Sequence, residues 1–397
     1  MTNLAIQKNE NKKSLLVLFQ NALIIIICLF QIYSLTAYMQ RNPSGVRISN
    51  YVFFGAGILL YFSAFFSKKI VKHLFLPLIM FAYVILTSFF QEGDFNTYIA
   101  GINFALMLTT FCVGRSVLIS KKMVKFISFV LIIIGLEFVF FYFSPNAYAP
   151  YVEYTSVSDV LTLGFSNPNQ TGIILFLSIS ISVIAIDVCS RKFIKFLYYI
   201  LVVFLLILLV LTDARTSIIA AVFVITWKFF GSKFKIRNEK FVNVVSIGFI
   251  ALPLVFFIIY LSLFLNGYGN DVVILGKSLF SGRQRVYSNV LVNWNNHIFG
   301  NVAYFRFSNA HNGALTIIVN TGIVGFFLYL ITLYLELQVM CHNAFIKRVV
   351  PISLIIIYGI LLTSCGEAAI VTDGNVYYVF TLLICLLFNY EIKGRVK

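Results

Sequence analysis

Charge is scarce in this chain. Only 11% of its 397 residues are charged, against 60% hydrophobic and 17% aromatic. A soluble domain needs more polar surface than that, so the composition excludes one and calls for an integral membrane protein. Cysteine patterning is also missing. The six cysteines (Cys28, Cys112, Cys189, Cys341, Cys365, Cys385) show no CxxC and no metal-ligand spacing, and read as small apolar residues. There is no internal repeat, no low-complexity tract and no soluble domain.

What the chain does have is one apolar run after another. Spans are expected near 14–36, 48–66, 73–90, 96–118, 123–143, 168–188, 193–212, 214–230, 241–264, 312–338, 349–364 and 375–390. Each is near the length a helix needs to cross the hydrocarbon core. The expected architecture is therefore all-α, one polytopic membrane domain over 1–397 with about twelve transmembrane helices. Lys8, Lys12 and Lys13 precede an apolar run to about Thr36. That run is too long for a signal peptide and has no small-residue cleavage site, so it reads as the first span.

The cations are distributed asymmetrically. If Met1 starts inside, 23 of the 30 Lys and Arg fall in the termini and even-numbered loops and only 7 in the odd-numbered ones. Short basic loops resist translocation, so both termini are expected in the cytoplasm. The same asymmetry accounts for the net charge of +16, and nucleic-acid binding is not expected.

Two outer segments are long, 144–167 and 265–311, and loops of that length usually have work to do. In the second, Ser281-Gly282-Arg283-Gln284 fits an S-x-x-Q capping box. Tyr287, Val290, Leu291, Trp294 and Ile298 then recur at helical spacing, which predicts an amphipathic helix on the outer face. Arg283 lies one turn before Tyr287, at the edge of the apolar face. Arg285 points toward Ser288, Asn289 and Asn296. His297 is expected to be structural.

The strongest local pattern is His311-Asn312, nine residues, then Gly322-Ile323-Val324-Gly325. It closes the long outer loop. Thr212-Asp213-Ala214-Arg215-Thr216-Ser217 puts an arginine in a turn between two spans, and Gly164-Phe165-Ser166-Asn167-Pro168-Asn169 precedes another span. Together with Ser281-Gly282-Arg283, these stretches resemble the O-antigen ligase and polysaccharide polymerase (Wzy) superfamily, whose pattern is H-[N/S/Q]-x9-G-x-x-G at the end of a large extracytoplasmic loop. The likeness covers roughly 160–330 plus the overall topology.

The resemblance implies a GT-C-like glycosyltransferase of a bacterial inner (cytoplasmic) membrane. It would act on undecaprenyl-diphosphate-linked oligosaccharide, without a metal or other cofactor. A chain-length regulator and a flippase are candidate partners besides the membrane lipid. The residue types suit that chemistry. Breaking an anomeric C–O–P linkage leaves charge on a diphosphate, which arginine can hold by paired hydrogen bonds. Such contacts in a dry site supply about 3–4 kcal/mol each. The acceptor hydroxyl needs a base, and histidine serves near neutral pH. His311, Arg283 and Arg215 are thus the expected catalytic residues. Arg285, Arg306, Asn312 and Asn169 are candidate substrate contacts.

Bland roles compete at each position. Arg215 could be an interfacial anchor, His311 a helix cap, Arg285 a solvated side chain, and Asn167 and Asn169 turn or cap residues. Gly322 and Gly325 read as close-packing positions. Glu92-Gly93-Asp94 is one acidic pair in a polar loop, too little to specify a cation. Glu137 lies within a span, with no partner named by the sequence. A polymerase is the leading function. An O-antigen ligase is the alternative, and a lipid-linked oligosaccharide transporter is a third reading, disfavoured because ionisable groups are nearly absent from the spans.

Overall fold

The computed structural model describes residues 2–66, 71–93, 95–117, 119–153, 156–165, 167–231, 238–268, 272–274, 277–278, 282–301, 310–368 and 375–394. The first half contains α1 (Thr2–Met39), α2 (Pro43–Phe66), α3 (Val71–Phe90), α4 (Phe95–Ser116), α5 (Lys121–Tyr142) and α6 (Pro168–Val188). The second contains α7 (Lys192–Leu211), α8 (Arg215–Phe230), α9 (Glu239–Leu265), α10 (Arg283–Val292), α11 (Gly313–Ile346), α12 (Ile352–Thr363) and α13 (Asn375–Gly394). Each of the twelve apolar stretches lies in a helix. Among the described residues, seven helices are long and apolar enough to cross a membrane, so this is an all-α, multi-pass membrane protein.

Burial sorts the helices into layers. In α6 and α12 nearly every residue is buried, and both are apolar all round, which marks central helices. Helix α13 packs against α4 so closely that a Cβ on Gly114 would lie 2.2 Å from Cys385 Cβ. Helices α7 and α9 bury one side only and leave apolar residues such as Phe196, Val203, Phe241 and Ile258 exposed, as lipid-facing helices do. Side-chain caps satisfy several helix starts: Ser120 for α5, Asn167 for α6, Asn238 for α9 and Asn312 for α11.

The structure departs from the sequence reading at four places. First, the 144–167 segment holds an antiparallel hairpin, β1 (Tyr148–Glu153) with β2 (Ser156–Leu161), where the sequence reads only as loop. A second short pair, β3 (Val273–Ile274) with β4 (Lys277–Ser278), lies before α10. Second, α10 starts one residue late, because Gly282 occupies the N-cap position in the left-handed region (φ 78°). Gln284 is therefore out of register for a capping box, and its Oε1 is buried without a hydrogen bond. The helix also stops at Val292, so Trp294, His297 and Ile298 lie beyond it.

Third, α11 is broken at Gly322, which is non-helical (φ 64°, ψ −174°). The segment after α10 docks into this break. Ile323 and Val324 donate to the carbonyls of His297 and Ile298 at 3.0 and 3.2 Å, and Asn301 donates to Val319 at 2.9 Å. Tyr83 and Gln91 on and after α3 hold the junction, through Thr321 O at 2.5 Å and Gly300 O at 2.8 Å. Glycine is required here for close approach: a Cβ on Gly322 would sit 2.2 Å from the Ile298 carbonyl oxygen. Gly325 matches its expected packing role, against Thr321 and Tyr83.

Fourth, the helices carry two buried acids that the sequence reading does not single out, Glu336 and Glu391. Glu336 is buried within α11 and accepts from Cys112 of α4 at 3.0 Å. Glu137 receives a hydrogen bond from Thr36 of α1 at 2.6 Å, which ties α1 to α5.

Candidate functional site

The site is assembled at the start of α11. Asn312 is fully buried and caps the helix, accepting from Leu315 N at 3.0 Å. Its amide nitrogen donates to Pro253 O in mid-α9 at 2.9 Å and to Cys365 O, just past α12, at 3.1 Å. The next residue, Gly313, donates its N–H to Ser364 O at 2.8 Å. One asparagine thus joins α9, α11 and the end of α12. Expected as a substrate contact, Asn312 here has its amide bonded to the protein.

His311 precedes the cap with φ 51°, in the left-handed region. For a non-glycine residue that conformation is uncommon and must be held by its surroundings. Ala310 N donates to Thr316 Oγ1 at 3.1 Å on one side, and the Tyr287 hydroxyl approaches the His311 carbonyl at 3.4 Å on the other. Because Asn312 takes the capping role, the His311 ring is directed elsewhere. Its Nδ1 lies 3.1 Å from both carboxylate oxygens of Glu367. The His311 side chain remains 24% exposed while that of Glu367 is 2% exposed, so the ring is reachable and its partner is not.

Arg283 comes to the same carboxylate, with a guanidinium nitrogen 3.7 Å from Glu367 Oε1. It starts α10, whose Tyr287 and Val290 are buried against Tyr260 and Leu315. Tyr287 stacks edge-on with Phe257 of α9. Arg283 is therefore mostly buried and Arg285 is exposed, as the helix phase predicts. Burial works against the Arg283 charge, but Glu367 and the neighbouring tyrosines Tyr287 and Tyr260 hold its pKa above the ordinary arginine value. Burial likewise raises Tyr287, and it pushes the Cys365 thiol up to about 12, which leaves both protonated.

Arg215 opens α8 after a turn in which Asp213 has φ 55°. This turn abuts the same cluster through Gly366: a Cβ there would lie 2.5 Å from Thr216 Cγ2 and 3.4 Å from an Arg283 guanidinium nitrogen. The start of α6 is packed on the other side of the turn, with Gly172 against Ala214 and Ser217. The three expected catalytic residues thus lie on elements that converge on Gly366 and Glu367.

The remaining candidates separate. Asn169 lies in the first turn of α6, where its N–H donates to the Asn167 side chain at 2.8 Å. Gly164 and Phe165 serve the fold: Phe165 stacks on Tyr38, and Gly164 (φ 83°) leaves no room for a Cβ against Met39 O. His297 packs edge-on against Trp294 at 4.6 Å. Arg306 lies outside the described residues, as does Asp94 of the acidic pair.

Glu367 is the residue that sequence reasoning missed. A usable signal would have been its place directly after Cys365-Gly366, at the end of the 349–364 run and on the same outer side as His311. As potential metal ligands, His311 and Glu367 are joined by no third His, Cys, Asp or Glu among the described residues. Chemically, the cluster offers a partly exposed imidazole whose Nδ1 faces a buried carboxylate, next to a permanent cation. No protein-family model matches the chain, and no curated protein matches it.

Proposed function

We propose that this protein is a metal-independent membrane glycosyltransferase that polymerises undecaprenyl-diphosphate-linked oligosaccharide repeat units into O-antigen or capsular polysaccharide. It would have about twelve transmembrane helices in a GT-C-like arrangement, with both termini in the cytoplasm and the 265–311 loop outside a bacterial inner membrane. The observation that carries the reading is the convergence of His311, Arg283 and the turn bearing Arg215 around Glu367. An anion site beside a base is what transfer from a diphosphate to a hydroxyl needs.

In this reading Arg283 and Arg215 hold the donor diphosphate, and His311 receives the proton of the acceptor sugar hydroxyl. The hydroxyl oxygen attacks the anomeric carbon, and the bond to the diphosphate breaks with its electron pair on the leaving group. Arg285, which is exposed, would contact sugar only at the rim.

A deletion strain tests the function on a glycan gel. A polymerase leaves one repeat unit on the acceptor lipid. Free polymer with a bare lipid core identifies a ligase instead, and repeat units trapped facing inward identify a flippase.

A further inference from the structure

Glu137 is an acid that the candidate site does not use. It stands in α5, one and a half turns before the end at Tyr142, or about 8 Å along the axis. Its neighbours Leu136 and Phe140 are exposed, as lipid-facing residues are. The next charged residue of α5 is Lys125, about 18 Å away along the axis. Helices α1, α6 and α7 pack against α5. From Leu15 to Met39, α1 has no charged residue, and on the other two Asp187 ends α6 while Lys192 and Lys195 open α7. Helix α7 runs alongside α5 in the same direction, with Tyr198 bonded to Ser128 and Leu201 against Gly135, so its lysines lie at the far end. The titratable groups at the Glu137 end are the tyrosines Tyr33 and Tyr38 of α1 and Tyr142 of α5. Among the described residues no cation pairs with Glu137. Its Oε2 is buried without a hydrogen bond, and its Oε1 meets Thr36. An ionised carboxylate would thus hold its charge in hydrocarbon on one hydrogen bond, which is costly.

The Thr36 contacts say where a proton fits. Thr36 Oγ1 lies 2.6 Å from Glu137 Oε1 and 3.1 Å from Ile32 O, one turn back in α1. A hydroxyl has one hydrogen, so it can donate to only one of these two oxygens. If Glu137 is ionised, that hydrogen goes to the carboxylate and the Ile32 contact is empty. If the acid carries a proton on Oε1, Glu137 donates to Thr36, Thr36 donates to Ile32 O, and both contacts are used. We propose that Glu137 is a proton-binding site of the membrane domain, held as the neutral acid and donating to Thr36 as a clasp between α5 and α1. The 2.6 Å contact then runs from Glu137 to Thr36, and the charge that hydrocarbon would penalise is absent. The clasp also has a place in the fold. The last turn of α1 seats the segment before α6, with Phe165 stacked on Tyr38 and Gly164 against the Met39 backbone. Behind that seat, Gly172 of α6 packs against the turn bearing Arg215.

Infrared spectroscopy of the full-length protein in lipid bilayers at neutral pH tests this. The parent should show a carboxylic-acid C=O stretch that Glu137→Gln lacks. A parent-minus-variant spectrum holding only carboxylate bands overturns the proposal. Thr36→Val removes the acceptor of the acid proton, so the same C=O stretch should move to higher frequency, while Thr36→Ser should leave it in place. A band that ignores Thr36→Val overturns the donation to Thr36, and this arm stands even where Glu137→Gln is hard to prepare. Thermal unfolding is the third readout. Glutamine is neutral and its amide can donate to Thr36, so Glu137→Gln should melt close to the parent, whereas Glu137→Leu, with no donor, should melt lower. A Glu137→Gln variant that melts as low as Glu137→Leu, or fails to fold, shows that the ionised carboxylate is what α1 needs and overturns the proposal.

Discussion

The side-chain amide of Asn312 donates to the carbonyl of Pro253, 2.9 Å away in the middle of α9. With its bonds to Cys365 and Leu315, this residue ties three helices together directly beneath His311. Asn312→Ala should therefore lower stability by about 2 kcal/mol or more, from a lost cap and lost buried hydrogen bonds. Thermal unfolding in detergent measures this. Asn312→Asp can still cap but cannot donate, so it should recover only part of the loss. A parent-like melting temperature in both variants would remove the structural role assigned here.

Arg283 and Arg285 are two residues apart and should behave differently. Arg283→Gln should abolish detectable polymer, a loss of about 10²-fold or more, and Arg283→Lys should not restore it, because lysine lacks the planar fork. Arg285→Ala should keep part of the activity. The raised pKa of Arg283 means that its charge persists from neutral to mildly alkaline pH, so binding of undecaprenyl diphosphate should not weaken over that range on its account. Complementation of a deletion strain reads the first result, and a binding titration the second. An inactive Arg285→Ala beside a near-normal Arg283→Gln would reverse the assignment.

His311→Gln separates chemistry from folding. It should leave a membrane-inserted protein that binds donor but turns over about 10²–10⁴-fold more slowly. Since Asn312 supplies the cap, melting should barely change. Substantial unfolding would return His311 to a structural role.

The broken helix gives a prediction independent of function. Gly322→Ala would put a methyl group 2.2 Å from Ile298 O at a positive φ, and a cost above about 2 kcal/mol is expected. Gly248, with open space around it, is the control: Gly248→Ala should not destabilise. Equal melting of the two variants would count against the docked junction.

Orientation is tested by labelling. A cysteine at Tyr268, exposed just after α9, should react with a membrane-impermeant maleimide in intact cells, whereas one at Lys240, exposed at the other end of α9, should not. The reverse pattern would turn the protein over and remove the donor argument with it.

The helices were legible because apolar runs of membrane length carry their own signal. The facing of Arg283 was legible because Tyr287 and Val290 repeat at helical spacing. The partner of His311 was not, because Glu367 lies 56 residues away in a turn with no periodicity. The break in α11 was hidden for a related reason. Glycines three apart suit a packed helix, and only the carbonyls of His297 and Ile298, bonded to the residues after Gly322, distinguish a break from a contact. The β1–β2 hairpin went unread because its strands, Tyr148–Glu153 and Ser156–Leu161, are six residues each and, among the described residues, pair only with each other.

The length of α12 has a consequence for what can serve as substrate. Its 12 residues rise about 18 Å, well short of the roughly 30 Å of a hydrocarbon core. Asn312, beside His311, is bonded both to Pro253, halfway along α9, and to Cys365, just past the end of α12. The short helix thus sets the His311–Glu367 pair among the helices and not on a loop above them. Under the transferase reading proposed above, a substrate would have to enter between helices to meet it.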